Sequence, residues 1–183
     1  MEKLLSTCIS KNFYDLRDKA LFLFLLDTGA RASEVCAVDL EDIDLRIGIH
    51  LIKRGKGRKP RTIFLGKKSR RALRAYLKFY PSKSKINQDS ALWVTQKESR
   101  LTYWGLNQIL RRRAIEANIE KPSLHDFRRA FALNYLRNGG DIYSLQKLMG
   151  HADLQVLRRY LAQTTEDLQI AHNNFSPVDN SVL

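Results

Sequence analysis

The hydrophobic rhythm of this sequence changes twice along its length, and that change limits the fold more than any other feature. Between residues 39 and 65 the apolar residues come in three short runs, DIDL, IHLI and TIFL, bounded by turn signals at Gly48 and at Gly55 to Pro60. These runs predict a small antiparallel sheet of three strands. On both sides the spacing is helical. Residues 12–29 read as a buried helix ending at Gly29, and residues 69–80 as a helix with Leu73, Tyr76, Leu77 and Tyr80 inward. Ala91 to Val94 reads as a short strand. Thr102 caps a helix to about Asn118, with Leu106, Ile109, Leu110 and Ala114 inward. Trp93 and Trp104 flank apolar positions and are expected in the core. The fold class is therefore mainly α with a small three-stranded antiparallel β-sheet (α+β). No internal repeat or linker divides the 183 residues. We expect one domain, with a core over about residues 10–163 and a C-terminal helix and tail over 164–183.

The second constraint is the stretch from Ser123 to Tyr160, SLHDFRRAFALNYLRNGGDIYSLQKLMGHADLQVLRRY. Leu124, Phe127, Phe131 and Tyr135 recur at helical spacing, with His125 and Arg128 at the edge of that face. Gly139 and Gly140 break the helix. Asp141 is placed to cap the next one, which turns Ile142, Leu145 and Leu148 inward and ends at Gly150. His151 follows that helix end directly. Asp153 is placed to cap a further short helix, and Tyr160 lies nine residues beyond His151.

Upstream, TGARASEV places Arg31 in a short connection between two helices, with Ser33 expected to cap the second and Glu34 one residue into it. The loop RGKGRK joins the second and third strands. Its GKG lacks the spacing and the strand–helix setting of a nucleotide phosphate loop. From Lys53 to Arg74 there are eleven Lys and Arg and no acidic residue, and Arg111, Arg112 and Arg113 form a second basic cluster. Such blocks are either a solvated, self-repelling face or a phosphate track. The whole chain carries 32 Lys and Arg against 19 Asp and Glu, a formal net charge of +13, which favours an anionic partner, nucleic acid before membrane.

Cys8 and Cys36 have neither disulfide-framework nor zinc-site spacing and are expected as buried, inert thiols in a reducing compartment. MEKLLSTCISKNF lacks a basic n-region followed by a long apolar run and is not expected to act as a signal peptide, and the run from Ala20 to Leu26 is too short to span a bilayer. The expected location is cytoplasmic and DNA-associated, with no membrane.

HDFR, then LMGHADL, then a tyrosine nine residues after the histidine, together with TGARASE, resembles the catalytic domain of the tyrosine recombinase (phage-integrase) family. The likeness covers roughly residues 10 to 176, and it implies that family's catalytic-domain fold. It also implies a catalytic set of Arg31, Lys56, His125, Arg128, His151 and Tyr160, with Glu34 supporting Arg31. Lys53 and Lys59 lie near enough to Lys56 to take its place. Lys53, Arg54, Arg58, Lys59, Arg61, Arg111, Arg112 and Arg113 are expected on the DNA backbone. Family members usually carry a separate N-terminal helical domain as well, and this sequence begins almost at the catalytic part.

The implied chemistry suits these residue types. A phosphodiester is anionic with a poor leaving group. Arginine forks bind its oxygens and stay charged, histidines hold or carry protons near neutrality, and a lysine protonates the leaving 5′ oxygen. A tyrosine nucleophile stores the bond as a 3′-phosphotyrosyl ester, so rejoining needs neither metal nor ATP. Asp141 and Asp153 read as helix caps, not metal ligands, and no cofactor is expected. The resemblance favours a site-specific recombinase or integrase acting on double-stranded DNA, monomeric when free and tetrameric on paired sites, with accessory directionality proteins. The alternatives are a type IB topoisomerase-like or telomere-resolvase enzyme, or a catalytically silent DNA-binding relative. A last expectation concerns residues 164–176, read as a helix capped by Thr164 or Thr165 with Leu168, Ala171 and Phe175 on one side, which docks on a neighbouring subunit.

Overall fold

A computed structural model describes residues 1–52, 61–80, 90–150 and 165–179. Its elements in order are α1 (Glu2–Ser6), α2 (Phe13–Thr28), α3 (Ala32–Cys36), a 3-10 turn (Leu40–Asp42), β1 (Ile43–Asp44), β2 (Ile49–Ile52), β3 (Arg61–Phe64), α4 (Lys67–Lys78), α5 (Tyr103–Glu116), α6 (Leu124–Arg137), α7 (Ile142–Met149) and α8 (Thr165–Phe175). The class is the expected one. The three strands are antiparallel in the order β1-β2-β3, with Ile43 opposite His50 and Ile52 opposite Arg61.

α2 is the axis of the molecule. Asn12 caps it by accepting from Asp15 N–H at 2.9 Å, and Gly29 ends it in the left-handed conformation. Its apolar residues point several ways at once. Ala20, Leu21, Phe22, Phe24 and Leu25 are all buried, which a helix tolerates only with neighbours on most sides. α4 covers one side, α6 another, and β3 also reaches it. Phe22 packs on Phe127 of α6 at 5.7 Å, and Phe24 packs edge-on to Trp93 at 5.6 Å. Each such side chain contributes roughly 1.5–3 kcal/mol on burial. A smaller cluster of Phe131, Ala132, Leu145 and Met149 joins α6 to α7.

Several local expectations change. α4 starts two residues earlier than expected, at Lys67, and stops at Lys78. Ala91 to Val94 forms only isolated bridges, Asp39 with Ala91 and Val94 with Arg100. Trp93 is fully buried, but Trp104 is 71% exposed. Sequence neighbours of apolar residues do not share a helix face: Trp104 sits two residues from Leu106, about 200° around α5. Cys8 and Cys36 are buried free thiols, and burial pushes Cys36 up to about 11. Among the described residues no helix is long and apolar enough to cross a membrane.

Candidate active site

The site begins where α2 stops. Gly29 has φ +58°, and a Cβ there would lie 2.3 Å from the Phe131 ring, so only glycine allows this turn against α6. Thr28 Oγ1 donates to Phe24 O at 2.7 Å and accepts from Ala30 N–H at 3.2 Å, which fixes the exit. Arg31 then caps α3 in an extended conformation. Ser33, expected as the cap, lies inside the first turn. Glu34 removes the need for it, because Glu34 Oε2 accepts the Arg31 N–H at 2.8 Å.

Glu34 is the anion of the site. Its Oε1 accepts from Arg31 Nη1 at 3.1 Å, and both its oxygens accept from Arg61, Oε1 from Nη1 at 2.9 Å and Oε2 from Nη2 at 2.8 Å. Burial alone would raise its pKa. The Arg61 hydrogen bonds, the Arg31 N–H and the two positive charges outweigh burial and bring it down to about 2. The Arg31 side chain stays 25% exposed.

Arg61 corrects the sequence reading. Expected among the DNA-backbone cations, its side chain is only 12% exposed, and its guanidinium grips Glu34 with both ends. Its Nε also donates to Leu148 O, at 3.0 Å. No local signal could announce this pair, because the residues are 27 apart. Arg61 also pairs with Ile52 across the β2–β3 ladder, and Lys56 belongs to the eight residues of sequence between these two.

Arg128 does for α7 and α2 what Arg61 does for α7 and α3. It is buried, with Nη1 donating to Gly29 O and Nη2 to Met149 O, the latter at 2.6 Å. A cation there meets the negative ends of two helices. The result is a link between the turn that leads into Arg31 and the helix end that leads into His151. Gly150, at φ +61°, lets α7 end against Arg61: a Cβ would lie 3.0 Å from its Cδ. His125 is exposed in the first turn of α6, three residues before Arg128. Ser123 and Asp126 cap that turn reciprocally, Ser123 N–H on Asp126 Oδ2 at 2.8 Å and Asp126 N–H on Ser123 Oγ at 3.2 Å. Asp141 caps α7 as expected, accepting from the N–H groups of Tyr143 and Ser144.

Arg31, His125 and Arg128 thus lie on elements that Arg128 and Arg61 tie to one another. Among the described residues Arg31 and Arg61 share the one carboxylate of Glu34, so this pair of cations carries surplus positive charge and suits an anion. Lys53, Arg54, Lys56, Arg58, Lys59, His151, Asp153 and Tyr160 lie outside the described residues. In the second basic cluster only Arg111 and Arg112 are exposed. Arg113 is buried and bound to Asp15 at 2.7 Å, Asp18 at 2.9 Å and Glu116 at 2.9 Å, so it serves the core and not a DNA surface.

The phage integrase family model matches residues 1–167. Tyrosine recombinase XerD of Listeria monocytogenes serotype 4b (strain F2365) is 34% identical over 183 residues, covering 97% of this chain and 60% of that protein. The chain therefore spans about 60% of this curated relative's length. The crystal structure of XerA recombinase superposes with a TM-score of 0.81 at 29% identity, over 96% of this chain and 62% of that one. XerH site-specific recombinase, in a post-cleavage complex with palindromic difH substrate, superposes at 0.73 with 26% identity, over 94% and 50%. The turn that sets Arg31, the helix that sets His125 and Arg128, and a match spanning nearly the whole sequence agree: the chain belongs to the phage integrase family.

Proposed function

We propose that this chain cleaves and rejoins double-stranded DNA as a site-specific tyrosine recombinase. The Arg128 link carries the reading, because it joins the connection bearing Arg31 to the helix end before His151. In the proposed step the Tyr160 oxygen attacks the scissile phosphorus while its proton passes to a histidine of the site, His125 or His151. The bond to the 5′ oxygen breaks, and that oxygen takes a proton from Lys56, leaving a 3′-phosphotyrosyl ester. Attack by a 5′ hydroxyl reverses the step and reseals the strand. Arg31 and Arg128 hold the non-bridging oxygens, and His125 and His151 hydrogen-bond the phosphate or carry protons. Glu34, kept ionised well below neutral pH, keeps Arg31 oriented. The post-cleavage complex of the relative XerH is consistent with this reaction.

Assembly on paired sites follows from the same reading. Leu168 and Phe175 of α8 are 54% and 71% exposed, which favours docking on a neighbouring subunit over burial in its own core. Truncation after Gln163 should abolish assembly on DNA by sedimentation while leaving the free protein monomeric.

The decisive experiment uses a pool of nicked duplexes with randomised flanks, in which the cleaved fragment diffuses away and the adduct accumulates. Wild-type protein should form an adduct that survives denaturing gels and maps to Tyr160. Tyr160→Phe should bind DNA and form none. An adduct that persists in that variant, at Tyr135 or Tyr143, would refute the assignment.

A further inference from the structure

α4 carries its charge where a helix gains least from it. Its first turn holds Lys67 and Lys68 and no acid, at the end where unpaired N–H groups already leave positive charge. Its N-cap is Gly66, which has no side chain to accept from them. Lys67, Arg70, Arg71, Arg74 and Lys78 then follow at spacings of three and four, so like charges face each other along one stripe. The residues that anchor the helix, Ser69, Leu73 and Tyr76, are buried on the opposite side. The stripe opposes helix stability, and so does the charged first turn, which the Asp27 carboxylate on the Gly66 N–H offsets in part.

The stripe forms one wall of an open groove of about 870 Å³, whose lining also includes Lys11, just before the α2 cap, and Leu16 near the start of α2. Among the described residues no carboxylate lines this groove and none of its six cations forms an ion pair. Arg70 and Arg74 are instead aimed by main-chain carbonyls, Arg70 Nη1 donating to Arg46 O at 2.8 Å and Arg74 Nη2 to Leu45 O at 2.6 Å. Those bonds orient the guanidiniums without neutralising them. Gly66 N–H donates to Asp27 at the end of α2, so the stripe starts near the candidate active site and runs back toward Lys11. It extends for roughly 16 Å at the helical rise, or about five base-pair steps measured along a duplex axis.

We propose that this groove is a second phosphate-binding site, which holds the backbone of duplex DNA outside the segment being cleaved. The proposal rests on the DNA reading above but uses none of the catalytic residues. Guanidinium forks and a regular row of cations fit a regular row of phosphates. Six cations beside one exposed aromatic, Phe79, favour a ligand held by charge over a protein held by apolar anchors. The DNA has two sources, the flank of the same duplex or a separate duplex.

The test is the fourfold variant Lys11→Gln, Lys67→Gln, Arg71→Gln and Lys78→Gln, all exposed positions, with Arg70 and Arg74 kept for their bonds to carbonyls. Without DNA its thermal midpoint should equal or exceed that of the wild type, since like-charge repulsion is removed. A lower midpoint would mark these cations as structural and overturn the site. On labelled random-sequence duplex the variant should bind about tenfold or more weaker near 0.1 M salt, and its log–log salt slope should shrink by about 0.9 for each phosphate it no longer neutralises. If the DNA is the flank, the wild-type slope steepens from a duplex of about one turn to one of about three turns, and the variant slope does not. If it is a separate duplex, wild-type protein captures a second short duplex onto beads bearing the first, and the variant does not. Either pattern supports the site, and a variant that matches the wild type in both arms overturns it while leaving cleavage intact. Wild-type protein that binds no duplex overturns the recombinase reading and this site together.

Discussion

Among the described residues arginines and carboxylates gather in two clusters with different balances, apart from the pairs Arg46–Asp44 and Arg100–Asp39. Between α2 and α5, Arg17, Arg112 and Arg113 face Asp15, Asp18 and Glu116, three cations against three anions. Asp18 is fully buried there and accepts from all three arginines. At the candidate active site Arg31 and Arg61 share Glu34, and Arg128 is bonded to main-chain carbonyls. Removing charge from water is costly, so a network inside the protein must be matched. Arg31 shares its one carboxylate with Arg61 and stays 25% exposed, which makes it a standing attraction for an anion. The same side-chain types serve cohesion in one place and recognition in the other, and the supply of carboxylates separates the two.

The largest effect should come from unbalancing the core cluster. Asp18→Asn leaves Arg113 and Arg17 buried with one fewer counter-charge and should cost about 3–5 kcal/mol of folding stability. Urea unfolding measures it. A loss below about 1 kcal/mol would mean that the cluster is no more cohesive than a surface pair.

Arg31→Ala should show the reverse pattern. The truncated site keeps the Glu34–Arg61 pair, so the unfolding free energy should change by less than about 1 kcal/mol. Adduct formation at Tyr160 should fall about 100- to 1,000-fold, as it does when one preorganised donor to a reacting oxyanion is removed. A stability loss comparable to that of Asp18→Asn would erase the distinction between the clusters.

This contrast also explains what can be read from the sequence. Caps and helix ends act within about four residues, so Gly29, Thr102, Asp141 and Gly150 are visible as text. The motif spacing likewise places Arg31, His125 and Arg128 on the elements where they are found. Partners distant in sequence leave no such trace. Glu34 meets Arg61 across 27 residues, and Arg113 meets Asp18 across 95. Both arginines therefore look like members of a basic run until the fold brings carboxylates to them. Ser33 misleads for a related reason, because the carboxylate of Glu34 fills the capping role one turn into the helix.

Acid should distinguish the site cluster by titration. The Glu34 carboxyl is held at about 2 against an ordinary 4.5, so its stabilisation is complete above pH 4.5 and is lost as pH falls toward 2. By pH 3 about 2 kcal/mol should be gone. His50, buried and thereby favoured in its neutral form, adds a separate loss as pH falls through 6.5. The difference between wild type and Glu34→Gln, measured by denaturant unfolding from pH 7 to pH 3, cancels that background. The difference should shrink below pH 4.5, and a constant difference would break the assignment of Glu34 as the ionised anchor.

The smallest effect tests the edge of the core cluster, where the three consecutive arginines of α5 diverge. Successive residues turn by about 100° around a helix. Arg113 therefore points into the core, Arg112 lies at its margin with its side chain 46% exposed and one hydrogen bond to Asp18 at 2.6 Å, and Arg111 faces solvent. Arg111→Ala removes charge without touching the buried network. Its unfolding free energy should stay within about 0.5 kcal/mol of the wild type. If Arg111 contacts a phosphate, the log–log salt slope for duplex binding should fall by about one, with the affinity loss the same for every sequence tested. Arg113→Ala should do the opposite, lowering stability because Asp15 and Asp18 lose their shared cation, with no change in slope for the fraction that stays folded. An unchanged slope for Arg111→Ala would take this end of α5 off the DNA path, and the outward charge of the triplet would then be a solvated face.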